Sequence, residues 1–424
     1  MKKLSVFVGL AAVGAAALPS VNAQSMQAAA PAKWWNMSGE LRGFYDDNYE
    51  VTHNKTGSFG FEVSPQLSAN LDLQQTDIGI RYTYGMYYYV KRADNGQNPV
   101  DNTHQADLWL DHAFNSRVKL NVTDTFAVAQ DPQLVQGGAV TRVGGNNVAN
   151  HANVNLTVDW TRQFSTATYY QNELYIYSNS SGTNNVPPGT NPSSAALLNR
   201  IDQRVGTDLQ WHFQPETMGF VGYAYSWSRY TGNAEIVATT PPPLIKSDTR
   251  NYNAQYMYVG ANHVFTPSLS ASGRAGATYV DSYNQSSTSW APYADVSATY
   301  TYVPGSFVQL GFRQDINATD VAAPSSNGQL TQYQQSSVFY GAINHEFTPK
   351  LHGSATGQYQ FSKYQDGAYG GQGDNDVNAG VNLTYQFNSH VSANVGYNFN
   401  ELFSNIPGRD YSRNVVYFGL GASY

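Results

Sequence analysis

The chain has 424 residues, with 30 acidic against 23 basic side chains, a net charge of −7 and only 12% charged residues, half of the about one quarter usual in soluble domains. That acidity argues against a nucleic-acid partner, which needs a basic face, and the lack of cysteine excludes a disulfide framework and any thiolate site. With 32 tyrosines and 37 glycines and a mean hydropathy of −0.44, the composition suits a wall with lipid on one side and water on the other, whose alternating faces cancel in the average.

Lys2 and Lys3, the apolar run from Leu4 to Leu18 and the small-x-small site Val21-Asn22-Ala23 predict a secretory signal peptide over residues 1–23. The run is shorter than the roughly 20 residues a membrane helix needs, and no later stretch comes near that length. Removing the signal leaves 30 acidic and 21 basic residues. Residues 24–35 read as a short periplasmic segment and 36–424 as one β domain.

From there the pattern alternates with period two over about 10 to 15 residues at a time. Ala152, Val154, Leu156, Val158 and Trp160 oppose Asn153, Asn155, Thr157 and Asp159. Val377, Ala379, Val381, Leu383 and Tyr385 oppose Asn378, Gly380, Asn382 and Thr384; Val391 to Phe399 behaves alike. Spacings of three and four are missing, so these are strands.

Two kinds of connector take turns. Short ones repeat a wording: Asp111-His112-Ala113-Phe114-Asn115, Trp211-His212-Phe213-Gln214-Pro215, Asn262-His263-Val264-Phe265-Thr266-Pro267 and Asn344-His345-Glu346-Phe347-Thr348-Pro349, with variants at Phe164, Tyr302 and Phe387. An earlier turn falls near Gln74-Gln75. Long ones, rich in Gly, Asn, Ser, Thr and Pro, cover 131–150, 178–198, 232–247, 318–329 and 365–374. Short turns on one side and long loops on the other is the polarity of a membrane-spanning antiparallel barrel. Eight short turns and about nine outer connectors predict 18 strands, with 16 as the alternative, and both termini in the periplasm. Phe114, Phe164, Phe213, Phe265, Phe347 and Phe387 then form an aromatic girdle at the short-turn side.

The chain ends Val416-Tyr417-Phe418-Gly419-Leu420-Gly421-Ala422-Ser423-Tyr424. An aromatic terminus inside an alternating strand, with Gly419 five before Tyr424, resembles the closing strand and insertion signal of bacterial outer-membrane barrels; Ala422 is small where that signal has bulk. The stretch Ser38-Gly39-Glu40-Leu41-Arg42-Gly43-Phe44-Tyr45-Asp46, followed by Phe59-Gly60-Phe61-Glu62-Val63, by Asp101-x-x-His104-Gln105-Ala106-Asp107 and by Phe126-Ala127-Val128-Ala129-Gln130-Asp131-Pro132, resembles the putative β-barrel porin 2 family of Gram-negative outer membranes. The resemblance implies an outer-membrane barrel of about 18 strands. Some relatives are thought to serve polysaccharide export systems and others are simply called porins.

On the face expected to line the lumen lie Glu40, Arg42, Glu62, Arg81, Asp107, Lys119, Asp159, Arg204, Asp208, Arg274, Asp295, Arg313 and Asp315. Near-equal signs speak against a dedicated anion pore; each is expected to be a hydrated wall residue paired across strands, or part of a selective constriction. Asp124 is out of place, in phase with the lipid-facing Leu120, Val122, Phe126 and Val128; a bulge is expected there, with an oligomer contact as the alternative. His112, His212, His263, His345 and His390 belong to the short turns and are expected to hydrogen-bond there; His53, His104 and His151 lie toward the outer end without a nucleophile motif. The proline-rich segments Val186-Pro187-Pro188-Gly189 and Thr240-Pro241-Pro242-Pro243 are candidates for loops that fold inward. Tyr82, Tyr84, Tyr87, Tyr88 and Tyr89 suit sugar stacking if they face the lumen and an interfacial belt if they do not.

These readings lead to an expectation of a passive channel for small hydrophilic solutes, without cofactor, metal or catalysis. Two alternatives stand beside it: a conduit for exopolysaccharide passed on by periplasmic export proteins, and a structural or adhesive barrel with a closed pore. The expected partners are outer-membrane lipid and lipopolysaccharide and the barrel-insertion machinery.

Overall fold

The computed structural model describes residues 33–130, 146–178, 193–231, 235–237 and 245–424. The expected signal peptide, most of the 24–35 segment and both proline-rich segments lie outside these residues.

Eighteen strands form one antiparallel ring: β1 (Trp35–Asp46), β2 (Ser58–Asp72), β3 (Thr76–Tyr89), β4 (Val100–Ala113), β5 (Val118–Ala129), β6 (Asn147–Asp159), β7 (Phe164–Ile176), β8 (Arg200–Gln214), β9 (Thr217–Tyr230), β12 (Tyr252–Thr266), β13 (Leu269–Ser282), β14 (Ser287–Val303), β15 (Ser306–Asn317), β16 (Tyr333–Thr348), β17 (Leu351–Gln365), β18 (Gly373–Gln386), β19 (Val391–Ser404) and β20 (Tyr411–Ser423). Two short strands, β10 (Glu235–Val237) and β11 (Ile245–Lys246), pair with each other in the β9–β12 connection. The ring closes where β20 pairs with β1, from Ser38↔Ser423 to Asp46↔Val415. Closure leaves no strand edge, as hydrocarbon requires, since an unpaired backbone group there costs several kcal/mol.

The alternation sets the two faces. Val416, Phe418, Leu420 and Tyr424 are each at least half exposed on the outside, while Tyr417, Gly419 and Gly421 of the same strand point inward. Eight short turns lie on one side and nine connectors on the other. One of the nine, between β13 and β14, is only the four residues 283–286, so not every outer connector is long.

In four of the short turns the ladder shifts register, between His212 and Gln214, Val264 and Thr266, Thr301 and Val303, and Glu346 and Thr348. The extra residue in each is the repeated aromatic: Phe213, Phe265, Tyr302 and Phe347. A bulge re-aims its residue, and here Phe213, Phe265 and Phe347 stand outward and exposed. Their histidine neighbours serve the same rim. His112, His263 and His345 each set a ring edge-on to the Phe two residues later, 4.4–4.5 Å between centroids, and bond Thr76, Thr217 and Tyr302 respectively. His212 bonds Ser165 and His390 the Ser423 carbonyl. The girdle is present, with Phe164 less exposed than the others.

The bulge expected at Asp124 does not exist. β5 pairs in unbroken register with β4 and β6, so Asp124 stands on the outer, lipid-facing stripe between Val122 and Phe126. Its polar neighbour is Asn150, whose Nδ2 donates to Oδ1 at 2.6 Å.

Candidate functional site: the lumen and its outer mouth

The inward stripes bring the charged residues into three groups rather than an even lining. In the first, Arg42 donates to Glu40 (2.8 and 2.7 Å) and reaches Glu62 at 3.3 Å, with its guanidinium 4.9 Å from the Tyr417 ring centre. Tyr87 donates to the other Glu62 oxygen at 3.1 Å. In the second, Arg81 meets Asp107 at 2.9 Å, and Thr125 and Gln105 donate to the same carboxylate.

The third group spans the wall from β7 to β15. Tyr258 donates to Asp208 at 2.6 Å and lies 3.1 Å from the Tyr169 hydroxyl. Arg313 sits 3.4 Å from Asp315, and Arg204 reaches the same oxygen of Asp315 at 3.6 Å across four intervening strands. Arg204 also covers the Tyr256 ring at 4.0 Å, and Arg274 lies beside Asp295, its register partner. Glycines make room here: at Gly222 a Cβ would collide with the Tyr258 ring and Asp208, and at Gly206 with the Tyr169 ring.

The sequence placed these residues on the correct face, and Glu40, Arg42, Arg81, Asp107, Arg204, Arg274, Asp295 and Arg313 keep part of their surface exposed; the expectation of hydration fails for three others. Glu62, Asp208 and Asp315 are buried, at 7, 5 and 2% exposure, and rest in packed ion and hydrogen-bond networks instead of open water. Lys119 is the second residue of β5 and Asp159 the last of β6, so both belong to the periplasmic rim. Several lumen charges went unnoticed: Asp46 with Arg413 (2.7 Å), Arg200 with Asp202 (2.7 Å), Arg92 with Asp101 (2.6 Å) and Glu173 with His151 (3.9 Å). Arg413 was available from phase alone, since it is in phase with the inward Gly419 and Gly421.

The wall that adjoins the third group differs. From β16 to β19, between Asp376 above and Glu346 and His352 at the rim, the inward positions hold no charge. They carry Ser354, Thr356, Gln358, Asn378, Asn382, Asn394 and Asn398 among others, an amide and hydroxyl surface.

The outer mouth is narrowed by a loop that the sequence did not single out. Residues 318–332, between β15 and β16, fold into the barrel: Val321, Ala323, Leu330, Thr331 and Gln332 have no exposed surface. Ala322 and Leu330 join a buried cluster with Tyr175, Tyr177, Leu197, Leu198, Ile236, Ala149 and Ala129. Ala129 ends β5, halfway round the ring from β16, so the cluster bridges the mouth. On its other flank Val321 packs with Tyr364 and Ile406. Two guanidiniums fasten the loop. Arg409 grips Asp320 with both terminal nitrogens and Asp374 with Nε. Arg250 donates to the Thr319 and Leu197 carbonyls at 2.6 and 2.9 Å. Burial alone would lower the Arg409 guanidinium, but Asp320, Tyr364 and Asp374 outweigh it and hold it well above its ordinary value. Arg250, buried and near Arg200, is held below its own. The signal available beforehand was the apolar run Val321-Ala322-Ala323-Pro324, out of place in a solvated loop.

The outer-end histidines do not converge. His53 pairs with Asp410 in the exposed loops, His104 bonds Tyr82 on the outer face, and His151 stands in the lumen against Tyr175. Among the described residues no group of His, Asp and Glu has metal-holding geometry. The tyrosine run divides by phase: Tyr82, Tyr84 and Tyr88 belong to the outer belt, Tyr87 and Tyr89 to the lumen wall.

This geometry defines a closed, membrane-spanning β-barrel with a polar interior. The chain belongs to the putative β-barrel porin 2 family, whose model matches residues 36–424, and that membership places it among outer-membrane porin-like barrels. No curated protein matches it in sequence. Among solved structures it is similar to OccAB4 of Acinetobacter baumannii (13% identity, TM-score 0.44, 93% of this chain and 99% of that one). It is also similar to OccK9 (OpdG) of Pseudomonas aeruginosa (11%, 0.44, 92% and 98%) and to OpdK of the same organism (10%, 0.45, 92% and 99%).

Proposed function

We propose that the protein is an outer-membrane channel through which small hydrophilic solutes diffuse, without a catalytic step. The observation that carries this reading is the pairing of a polar lumen wall with an inward loop, 318–332, that fixes the bore at the outer mouth. A barrel serving only as a scaffold has no use for an interior of ion pairs and amides. Solutes would pass along the charged group of β7–β15 and the adjoining amide wall of β16–β19, so that size and weak electrostatics select among them. Gly419 and Tyr424, in the closing strand, would carry the signal read by the insertion machinery.

Conductance of the purified protein in planar bilayers tests the reading. A stable pore that widens when residues 321–329 are replaced by a short glycine linker supports it. A barrel that stays non-conducting with the loop shortened overturns it in favour of a closed structural or adhesive barrel.

One observation favours a second reading. The uncharged amide and hydroxyl wall also suits a neutral polyhydroxylated chain, as an exopolysaccharide conduit handed its cargo by periplasmic proteins would need. Loss of capsule or slime on deletion of the protein tests this alternative.

A further inference from the structure

The third lumen group holds more donors than acceptors. Arg204, Arg274 and Arg313 project from β8, β13 and β15, and each guanidinium carries five N–H donors. Among the described residues Arg204 and Arg274 donate no hydrogen bond, and Arg313 makes one, long at 3.4 Å, to Asp315. The nearby carboxylates are spent or shared. Asp208 takes the Tyr258 hydroxyl, and a single oxygen of Asp315 serves both Arg313 and Arg204, at 3.4 and 3.6 Å. Asp295 stands in register between Arg274 and Arg313 and hydrogen-bonds neither.

These cations are nevertheless held in place. Arg204 lies over the Tyr256 ring at 4.0 Å and Arg274 over the Tyr258 ring at 5.6 Å, and both rings pack on Tyr293, with centroids 5.2 and 5.5 Å away. Stacking occupies the face of a guanidinium and leaves its N–H edge for another partner. Arg204 and Arg313 keep 22 and 20% of their side-chain surface exposed, so a solute in the lumen reaches them. Groups fixed before binding lose less freedom when a ligand arrives. On β17, two strands from Arg313 and so about 10 Å away at the usual spacing, the inward Thr356 and Gln358 make no side-chain hydrogen bond among the described residues.

We infer that these two surfaces form one binding subsite for a hydroxylated carboxylate, that is, a sugar acid. Its carboxylate lies on the open edges of Arg204, Arg274 and Arg313, a charge-assisted contact. A hydroxyl next to that carboxylate donates to Asp295, and the remaining hydroxyls meet Thr356 and Gln358. The chemistry selects for both halves of the solute. A simple anion meets the repulsion of Asp295 and Asp315 with no hydroxyl to offer them, and a neutral sugar leaves the guanidinium edges to water. The inference rests on the channel reading above and adds a solute class to it.

Gluconate, acetate and sorbitol separate the cases. In planar bilayers at low salt, gluconate should reduce the potassium chloride current at a concentration about tenfold lower than acetate or sorbitol needs, the effect of one hydrogen bond to a charged group. Arg274→Gln removes no native hydrogen bond, so the barrel should keep the heat-dependent gel shift of a folded barrel. Its block by gluconate should weaken about tenfold, and its response to sorbitol should not change. Calorimetry of the folded protein in detergent with the same three solutes needs no current, so it tests the subsite even in a barrel that does not conduct. Gluconate no better than acetate or sorbitol, or gluconate binding unchanged in Arg274→Gln, overturns the inference; if the pore conducts all the same, the channel reading stands. Should Arg274→Gln fail to fold, the comparison of the three solutes on the native chain decides alone.

Discussion

Arg409 places its two terminal nitrogens on the two carboxylate oxygens of Asp320, each at 2.8 Å, with neither side chain appreciably exposed. Two-pronged guanidinium–carboxylate pairing fixes orientation as well as distance. It fixes, in particular, the start of the loop that narrows the mouth, because Asp320 precedes Val321-Ala322-Ala323 directly.

Replacing Arg409 by Ala would leave Asp320 and Asp374 buried without their cation. Breaking a buried pair from one side costs about 3–5 kcal/mol, enough to favour an arrangement in which the loop withdraws and both carboxylates hydrate. The expected outcome is a larger single-channel conductance in planar bilayers, at least twofold, with the folded gel shift intact. Arg409→Lys keeps the charge but loses the fork, and should fall between. Unchanged conductance in Arg409→Ala would mean that the bore is set elsewhere.

Arg204 and Arg313 both address Asp315, while Asp295 is a register neighbour of Arg313. The native group is nearly balanced in sign, so the pore should discriminate weakly between cations and anions. Changing both arginines to Gln leaves Asp315 uncompensated at the lumen wall and Asp295 with Arg274 alone, and should shift the reversal potential in a salt gradient toward cation preference. Asp315→Asn should shift it the opposite way. Salt must be kept low in both measurements, since at about 1 M the screening length is only ~3 Å. Identical reversal potentials for the three proteins would remove this group from the conduction path.

The barrel itself was legible because alternation is a local property that two solvents impose on every strand. Strand number followed from the repeated turn wording, whose aromatics occupy bulges in four of the turns. What stayed hidden is non-local. Nothing near Asp320 in sequence announces Arg409, 89 residues away, and nothing near Arg204 announces Asp315. The face of each charge was therefore readable, whereas its burial was not. Asp124 shows the same limit reversed: its phase was correctly read as lipid-facing, and the bulge expected to excuse it is absent because the ladder continues on both sides.

Gly222 lies opposite Asp208 on one side and Tyr258 on the other, and the Tyr258 ring occupies the space a side chain would need. Gly222→Ala gains up to about 1 kcal/mol from a stiffer unfolded chain but forces the ring and its bond to Asp208 aside, an overpacking cost of about 1–3 kcal/mol. The steric cost should win. The expected result is a lower temperature for the folded-to-unfolded gel shift. In a Tyr258→Ala background the same glycine change should be nearly neutral, because the obstacle is gone. Equal losses in the two backgrounds would show that the glycine is needed for some other reason.

Asp47, just past the end of β1, ties the first outer loop to the closing strand. Its carboxylate accepts from the Asn414 backbone N–H at 2.6 Å, from the Asn414 amide at 2.7 Å and from Lys55 at 2.9 Å. Burial alone would raise its pKa; the bonds from Lys55 and Asn414 outweigh that, and the net shift is downward. A carboxyl held below its unfolded value contributes stability that is complete above that value, about 4, and is lost as pH falls through the lower, folded one. Hydrogen exchange in residues 52–57 should therefore be flat from pH 7 to about 5, once corrected for the intrinsic rate, and accelerate only below about 4. Asp47→Asn keeps an acceptor for Asn414 but drops the ion pair with Lys55. It should show faster exchange at neutral pH and little further change on acidification. Acceleration setting in well above pH 5 in the native chain would assign the loop's anchoring to another group.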